Sequence, residues 1–395
     1  MISVADALQL ILQNTEPLEA IRIRTDGALD YAISEDVCSE IDFPSFRQSA
    51  MDGYAIRYED YEKGVPIILV AETQAGNVHA FNLSSGQAIR IFTGAMVPEG
   101  ADTVVMQERV TQSDTHLLIE PHELQMGANI RPVASQCHKG EKVMQKGDRL
   151  SPGASAFLTG LGMEWVPVCR KPVIRIINTG KELMPAGSDL QPGQIYESNS
   201  VALIQALQSM SLKVDRVRMV DDDVQLLQQA IAEELEQCDV LLLTGGVSVG
   251  DYDFVIPAAQ ANGIETIFHK IRQKPGKPLY FGKKDKKYIV GLPGNPGSVM
   301  TCFYMYVVPV MRRLMGYQEI TMPHYYLPSL QPIKKKGSLT HFLKAKLYPD
   351  GVYILDHQES YKMNAFARAN ALIEIPEEKN STEKGELVKV YLLYT

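Results

Sequence analysis

Asp239-Val240-Leu241-Leu242-Leu243-Thr244-Gly245-Gly246-Val247-Ser248-Val249-Gly250-Asp251-Tyr252-Asp253-Phe254 decides how the rest of the chain is read. The run from Asp239 to Leu243 has the length and composition of a strand buried on both faces. Glycines and a serine follow, allowing a tight turn, and two carboxylates precede the next helix. Glycine at the carboxyl end of a strand brings backbone N–H groups close to an anionic ligand, and the next helix N-terminus adds partial positive charge. Aspartate oxygens beside such a cradle are the hard ligands that Mg²⁺ prefers. On spacing alone, a glycine-rich βα turn ending in a helix-capping aspartate accounts for the same residues equally well.

The chain around this stretch has 395 residues, enough for about two to four domains, each with its own core. Its 45% hydrophobic and 22% charged content is that of an ordinary soluble globular protein. A net charge of −8 argues against a nucleic-acid binder, so any anion site needs local positive charge. No apolar run reaches membrane-spanning length, and Met1-Ile2-Ser3-Val4-Ala5-Asp6 lacks the pattern of a secretory signal. The five cysteines are isolated and odd in number, which favours a reducing compartment and disfavours structural zinc. A cytoplasmic protein is expected.

Working outward, an amphipathic helix over residues 2–13 opens the chain. From 65 to 120, short β-rich runs separated by Gly and Pro predict a small all-β module. From 172 the texture changes. Pro172 to Ile177 reads as a strand ending in Asn178-Thr179-Gly180-Lys181-Glu182, and a helix begins near Ser198. The strand Lys213 to Val220 runs into Asp221-Asp222-Asp223, which caps the next helix. Tyr288-Ile289-Val290 ends in Gly291-Leu292-Pro293-Gly294-Asn295-Pro296-Gly297-Ser298, and a long helix follows to Gly316 with a kink expected at Pro309. The lone tryptophan, Trp165, is expected in packing. Strand–helix alternation over this length implies a parallel sheet with right-handed crossovers, whose carboxyl-end loops converge on one crevice. The tail from 321 onward is again short strands and turns.

That crevice combines carboxylates with lysines. Glu182, Asp222 and Asp253 are candidate Mg²⁺ ligands, although helix capping and solvation explain any single aspartate of 221–223 as well. Lys270, Lys274 and Lys277 are candidate neutralisers of phosphate or another oxyanion. Pro275-Gly276 makes a rigid turn between two of them, and Ser298 offers a hydroxyl where the next helix begins. No Gly-x-Ser-x-Gly elbow, P-loop lysine or dinucleotide fingerprint occurs, which sets aside serine hydrolases, P-loop phosphotransferases and NAD enzymes.

Five segments taken in order, Ser49–Ala55, Arg90–Ala95, Thr244–Asp253, Lys274–Pro278 and Gly291–Pro296, resemble the molybdopterin molybdenumtransferases, the molybdenum-insertion enzymes similar to the E domain of gephyrin. The resemblance covers nearly the whole chain. It implies a multidomain α/β-plus-β protein: an elongated discontinuous domain (1–40 and 141–170), an inserted β-rich domain (41–140), an α/β domain like the molybdopterin adenylyltransferases (171–317), and a C-terminal β-barrel (318–395). It implies a homodimer, and a reaction that takes adenylylated molybdopterin and molybdate, requires Mg²⁺ and releases AMP. A molybdopterin adenylyltransferase is a further expected partner.

By position, the resemblance assigns Glu182, Asp222 and Asp253 to the metal or nucleotide. It places Lys270, Lys274, Ser298 and Ser360 near the oxyanion, and Asp52 and Thr93 as the inserted module's contribution across the dimer. Gly245, Gly246, Ser248, Gly250, Lys277, Pro293 and Pro296 line the pterin and phosphate path. Three positions depart from the family: Gln136 stands where an aspartate is usual, Lys181 replaces an acidic residue, and an expected tail arginine falls at Lys344. Gln136 favours the alternative reading, a paralogue that binds molybdopterin without inserting metal. An adenylyltransferase consuming ATP is a third reading, and the flanking β-modules argue against it.

Overall fold

In the computed structural model, which describes residues 1–77, 81–121, 123–247 and 254–393, helix α1 (Val4–Asn14) starts at a reciprocal cap. The Ser3 hydroxyl accepts from the Asp6 N–H at 3.0 Å, and the Asp6 carboxylate accepts from the Ser3 N–H at 3.1 Å. Two orphan donors of the first turn are thereby satisfied. Contacts divide the chain into two units, one formed by Met1–Glu35, Lys146–Ser155 and Glu164–Thr395, the other by Asp36–Gln145 and Ala156–Met163.

In the first unit, β1 (Ala20–Arg24) pairs antiparallel with β2 (Trp165–Cys169). Trp165 contradicts its expected packing role: its side of the pair faces solvent, and it is 46% exposed. The α/β core follows as β3 (Ile174–Thr179), α2 (Asn199–Gln208), β4 (Val214–Val220), α3 (Val224–Glu236), β5 (Val240–Thr244), α4 (Val255–Ala261), β6 (Glu265–His269), β7 (Gln273–Lys274), β8 (Tyr280–Lys284), β9 (Lys287–Leu292) and α5 (Pro296–Cys302). The sheet runs β4-β3-β5-β9-β8-β6; its first four strands are parallel, β8 runs against them, and β6 pairs antiparallel with β8.

Why β5 reads as unbroken apolar sequence is now plain. Val240 and Leu242 point into a core shared with α1, α2 and α5, whereas Leu241 and Leu243 point to the opposite face under α3 and α4. All four are fully buried, and each such side chain contributes about 1.5–3 kcal/mol. At the entry to β3 and β5, the Arg170 guanidinium holds Asp239 with two bonds of 2.6 and 2.8 Å, and Asp239 also accepts from the Val173 N–H at 2.7 Å.

Just before Pro309, where a kink is expected, the helix from Pro296 changes type. It continues as α5, a π-helical turn over Phe303–Val307, then α6 (Val308–Leu314). The wider turn precedes the proline, so the irregularity lies one turn earlier. Beyond it, β10 (His324–Pro328), β11 (Thr340–Tyr348), β12 (Gly351–Ile354), β13 (Ala371–Ile375) and β14 (Leu387–Leu392) build a β-rich module ordered β11-β13-β14-β10, with β12 on β11. Strand β7 joins the edge of this sheet in parallel, with Gln273 opposite Thr340 and Lys274 opposite His341.

The second unit holds a six-stranded sheet ordered Thr103–Met106, Gly53–Ile56, Gln87–Ile91, Ile67–Thr73, His116–Ile119 and Val110–Ser113. Apolar clusters cover both of its faces. A short helix, Tyr58–Glu62, lies just before the stretch 65–120 that is expected to be all-β. Among the described residues, no helix is long and apolar enough to cross a membrane.

Candidate active site

The order of the sheet creates the site. From β3 the chain crosses through α2 to β4 on one side, then through α3 to β5 on the other, so the carboxyl ends of β3 and β5 diverge at a topological switch point. A cleft of about 880 Å³ lies there, the size of a pocket for a large cofactor-like ligand.

Its floor is the paired ends of β3 and β5. The Thr244 hydroxyl donates to Asn178 Oδ1 at 2.7 Å with both residues buried, which fixes the two strands at their last register position. Gly245 follows with φ +81°; a Cβ there would lie 2.5 Å from the Thr179 carbonyl oxygen and 2.7 Å from its hydroxyl. Only glycine fits that approach. Gly246 continues the cleft wall.

One acidic corner comes from the loops after β3 and β4. Glu182 follows the buried Thr179, and its carbonyl accepts from the Ile195 N–H at 2.8 Å. Asp222 lines the same cleft. Its neighbour Asp223 instead caps α3, accepting from the N–H groups of Gln225 and Leu226 at 2.8 and 2.9 Å. The carboxylates of Glu182 and Asp222 have no hydrogen bond or ion pair among the described residues. Two free carboxylates facing one cleft fit Mg²⁺, which takes one or two from a protein and keeps the rest of its shell for water and phosphate. Among the described residues no group of three or more His, Cys, Asp or Glu side chains gathers for a metal.

The cleft also has a basic stretch. Lys274 and Lys277 line it with no carboxylate partner among the described residues. Their turn is braced from beneath by Gln273, which is fully buried. Its Nε2 donates to the Pro275 carbonyl at 2.9 Å, while its Oε1 accepts from the Tyr306 hydroxyl of the π-helical turn. Gly276, at φ +89°, passes so close to the helix that a Cβ would sit 2.4 Å from Cys302 Sγ. Pro293, Pro296, Ser298 and Ser360 also line the cleft.

Ten expected residues therefore share one cleft: Glu182, Asp222, Gly245, Gly246, Lys274, Lys277, Pro293, Pro296, Ser298 and Ser360. Lys270 does not line it. Its backbone is taken up elsewhere, with its N–H on the Leu279 carbonyl at 2.9 Å and its own carbonyl accepting from Ile2 at 3.2 Å. Asp52 and Thr93 belong to the other unit. There, Asp52 Oδ1 accepts from both the backbone N–H and the hydroxyl of Thr93 at 2.8 Å, and these bonds hold its carboxyl below the usual range. Ser248, Gly250 and Asp253 lie outside the described residues.

The structure adds lining residues that the sequence did not single out. Asn199, at the start of α2, donates to the Gly294 carbonyl at 2.9 Å and ties two cleft loops together. Gln358 and Tyr361 flank Ser360. The only sequence signal for Asn199 was its place next to a predicted helix start, and polar residues are common there for capping alone.

Comparison with known proteins agrees with this geometry. Residues 2–162 match the MoeA N-terminal region (domain I and II), 175–313 a probable molybdopterin binding domain, and 326–393 the MoeA C-terminal region (domain IV). A molybdopterin molybdenumtransferase of Haemophilus influenzae is 32% identical over 380 residues, covering 95% of this chain and 94% of that protein. One from Staphylococcus epidermidis is 31% identical over 400 residues, covering 99% and 95%. Among solved structures, the molybdopterin biosynthesis moeA protein of Pyrococcus horikoshii superposes with a TM-score of 0.85 at 28% identity, covering 99% of this chain and all of that one. The chain belongs to the molybdopterin molybdenumtransferase family, a family of transferases.

Proposed function

We propose that this protein inserts molybdenum from molybdate into adenylylated molybdopterin and releases AMP. The observation that carries the reading is that one cleft holds two lysines and two carboxylates, none with a charged partner among the described residues. Both reactants are anions. A chain with net charge −8 gathers them through local positive charge, which Lys274 and Lys277 supply.

In this reading the glycine floor at Gly245 and Gly246 receives the phosphates, because it lets backbone approach the ligand without side-chain obstruction. Glu182 and Asp222 hold Mg²⁺, which when bound neutralises charge on the phosphoanhydride. Lys274, Ser298 and Ser360 orient molybdate beside the dithiolene. Two sulfur–molybdenum bonds form as the two thiols give up their protons, one molybdate oxygen leaves with those protons as water, and another water is consumed when the anhydride P–O bond breaks to give AMP and molybdopterin phosphate. The protein's part is positioning and charge neutralisation. The proposal includes the four-domain organisation, a cytoplasmic location, and a homodimer in which Asp52 and Thr93 complete the partner's cleft.

The test mixes purified protein with adenylylated molybdopterin, molybdate and Mg²⁺. Molybdate-dependent AMP release, with cofactor that activates an apo-molybdoenzyme, is the expected result. Ligand bound without turnover replaces this reading with the non-inserting paralogue that Gln136 favours. ATP consumption with metal-free molybdopterin replaces it with an adenylyltransferase.

A further inference from the structure

Lys344 is the interior cation of the C-terminal module. It lies on β11 and is 2% exposed. Its ammonium donates to three backbone carbonyls, those of His357 at 2.7 Å, Glu359 at 3.1 Å and Lys362 at 3.2 Å. An ammonium has three N–H bonds, so its donor capacity is fully used. Its backbone N–H donates to Gln358 Oε1 at 2.9 Å, and Gln358 Nε2 donates back to the Lys344 carbonyl at 2.8 Å. Among the described residues Lys344 makes no ion pair, and burial pulls its pKa below the ordinary lysine value.

A cation placed this deep without a counter-ion is unfavourable by itself. What the three bonds accomplish is visible on the far side of the loop they gather. Gln358, Ser360 and Tyr361 face the cleft. The Ser360 carbonyl accepts from the Gly297 N–H at 2.8 Å, and its hydroxyl accepts from Asn295 Nδ2 at 3.0 Å. The 357–362 loop thus hangs between a buried ammonium behind it and the Pro293–Ser298 turn in front. His357, at φ +65°, holds the left-handed conformation that starts the loop.

We infer that Lys344 is a positioning residue for the oxyanion substrate: it contacts no ligand, and it sets where Ser360 stands in the cleft. The inference rests on the proposed reading of Ser360. Its positive charge is spent on carbonyls, so it does not take the place of a cleft arginine.

The test measures AMP release against molybdate concentration for Lys344→Met, Ser360→Ala and the double variant, alongside thermal midpoints. The expected result is a half-saturating molybdate raised about tenfold in each single variant, and a double variant no worse than the larger single. A purely structural lysine would lower the thermal midpoint and leave the molybdate curve in place. That outcome, or additive effects in the double variant, overturns the inference. If Ser360→Ala leaves molybdate saturation unchanged, the reading of the cleft falls first. If Lys344→Met does not fold, Lys344→Arg carries the test, because a planar guanidinium cannot set three donors of one nitrogen on these carbonyls. A folded Lys344→Arg with parental molybdate saturation also overturns the inference.

Discussion

Replacing Gly245 with alanine probes the floor of the cleft, and the structure sets the size of the effect. Two costs add. The residue sits at φ +81°, which is about 1–2 kcal/mol unfavourable for a residue with a Cβ. The new methyl lies 2.5 Å from the Thr179 carbonyl oxygen and 2.7 Å from its hydroxyl; pushing two hydrogen-bonded strand ends apart adds about 1–3 kcal/mol. Stiffening of the unfolded chain returns about 0.4–1 kcal/mol, leaving a net loss of about 1–4.5 kcal/mol. Gly193 provides the control, since it has φ +91° but nothing within 4 Å of an added Cβ. Gly193→Ala should therefore carry only the conformational part, and the difference between the variants isolates the clash at about 1–3 kcal/mol. Urea unfolding followed by the fluorescence of Trp165, the single tryptophan and a member of the same unit, reads both variants. A difference below about 0.5 kcal/mol, within the error of additivity, would refute the close-approach reasoning.

Mixing Asp52→Ala with Lys274→Met should restore about a quarter of parental activity through random reassortment into two-fold dimers, although each alone is inactive; activity that stays at the level of the single variants refutes the shared cleft. Chelation of divalent ions should abolish AMP release and added Mg²⁺ restore it, with Glu182→Gln and Asp222→Asn each needing about tenfold more or beyond; a full rate after chelation refutes the carboxylate assignment. Asp239→Asn should cost about 1–3 kcal/mol at neutral pH, because it takes two charge-assisted bonds from Arg170 and leaves Glu19, at 2.6 Å, as its remaining carboxylate partner. Burial pushes the Asp239 carboxyl up, but the bonds from Arg170 and Val173 outweigh it and hold its pKa below the usual value. Its folded pKa being depressed, its contribution is present above the unfolded pKa of about 4 and is lost as pH falls through the lower folded value. Urea midpoints across that acid range should converge for parent and variant; parallel curves would contradict the ion-pair account.

How much of this was legible in the sequence depends on how locally each feature is encoded. Val240 to Leu243 announced a two-sided strand because both faces are covered, and the glycine after it announced a close approach. The loops at 179–182, 221–223 and 293–298 were placed together by topology alone, and they do meet. Composition could not say which aspartate of 221–223 faces the cleft, since capping and ligand binding use the same side chain; the cap went to Asp223. Lys270 was grouped with Lys274 by proximity in sequence, but the chain turns between them and uses the backbone of Lys270 for pairing. Ser360 was reachable only through family resemblance, and the burial of Lys344 by no local pattern, because both depend on contacts between segments distant in sequence.

The two-residue strand β7 carries a mechanical consequence. Through it, the lysine-bearing arm of the cleft is stitched into the margin of the tail's sheet, at Thr340 and His341. The tail is therefore not a detachable accessory. Loosening that seam by a substitution far from any ligand would let the arm swing and change its reach, so tuning of substrate grip is open to changes along an outer margin where no chemistry occurs.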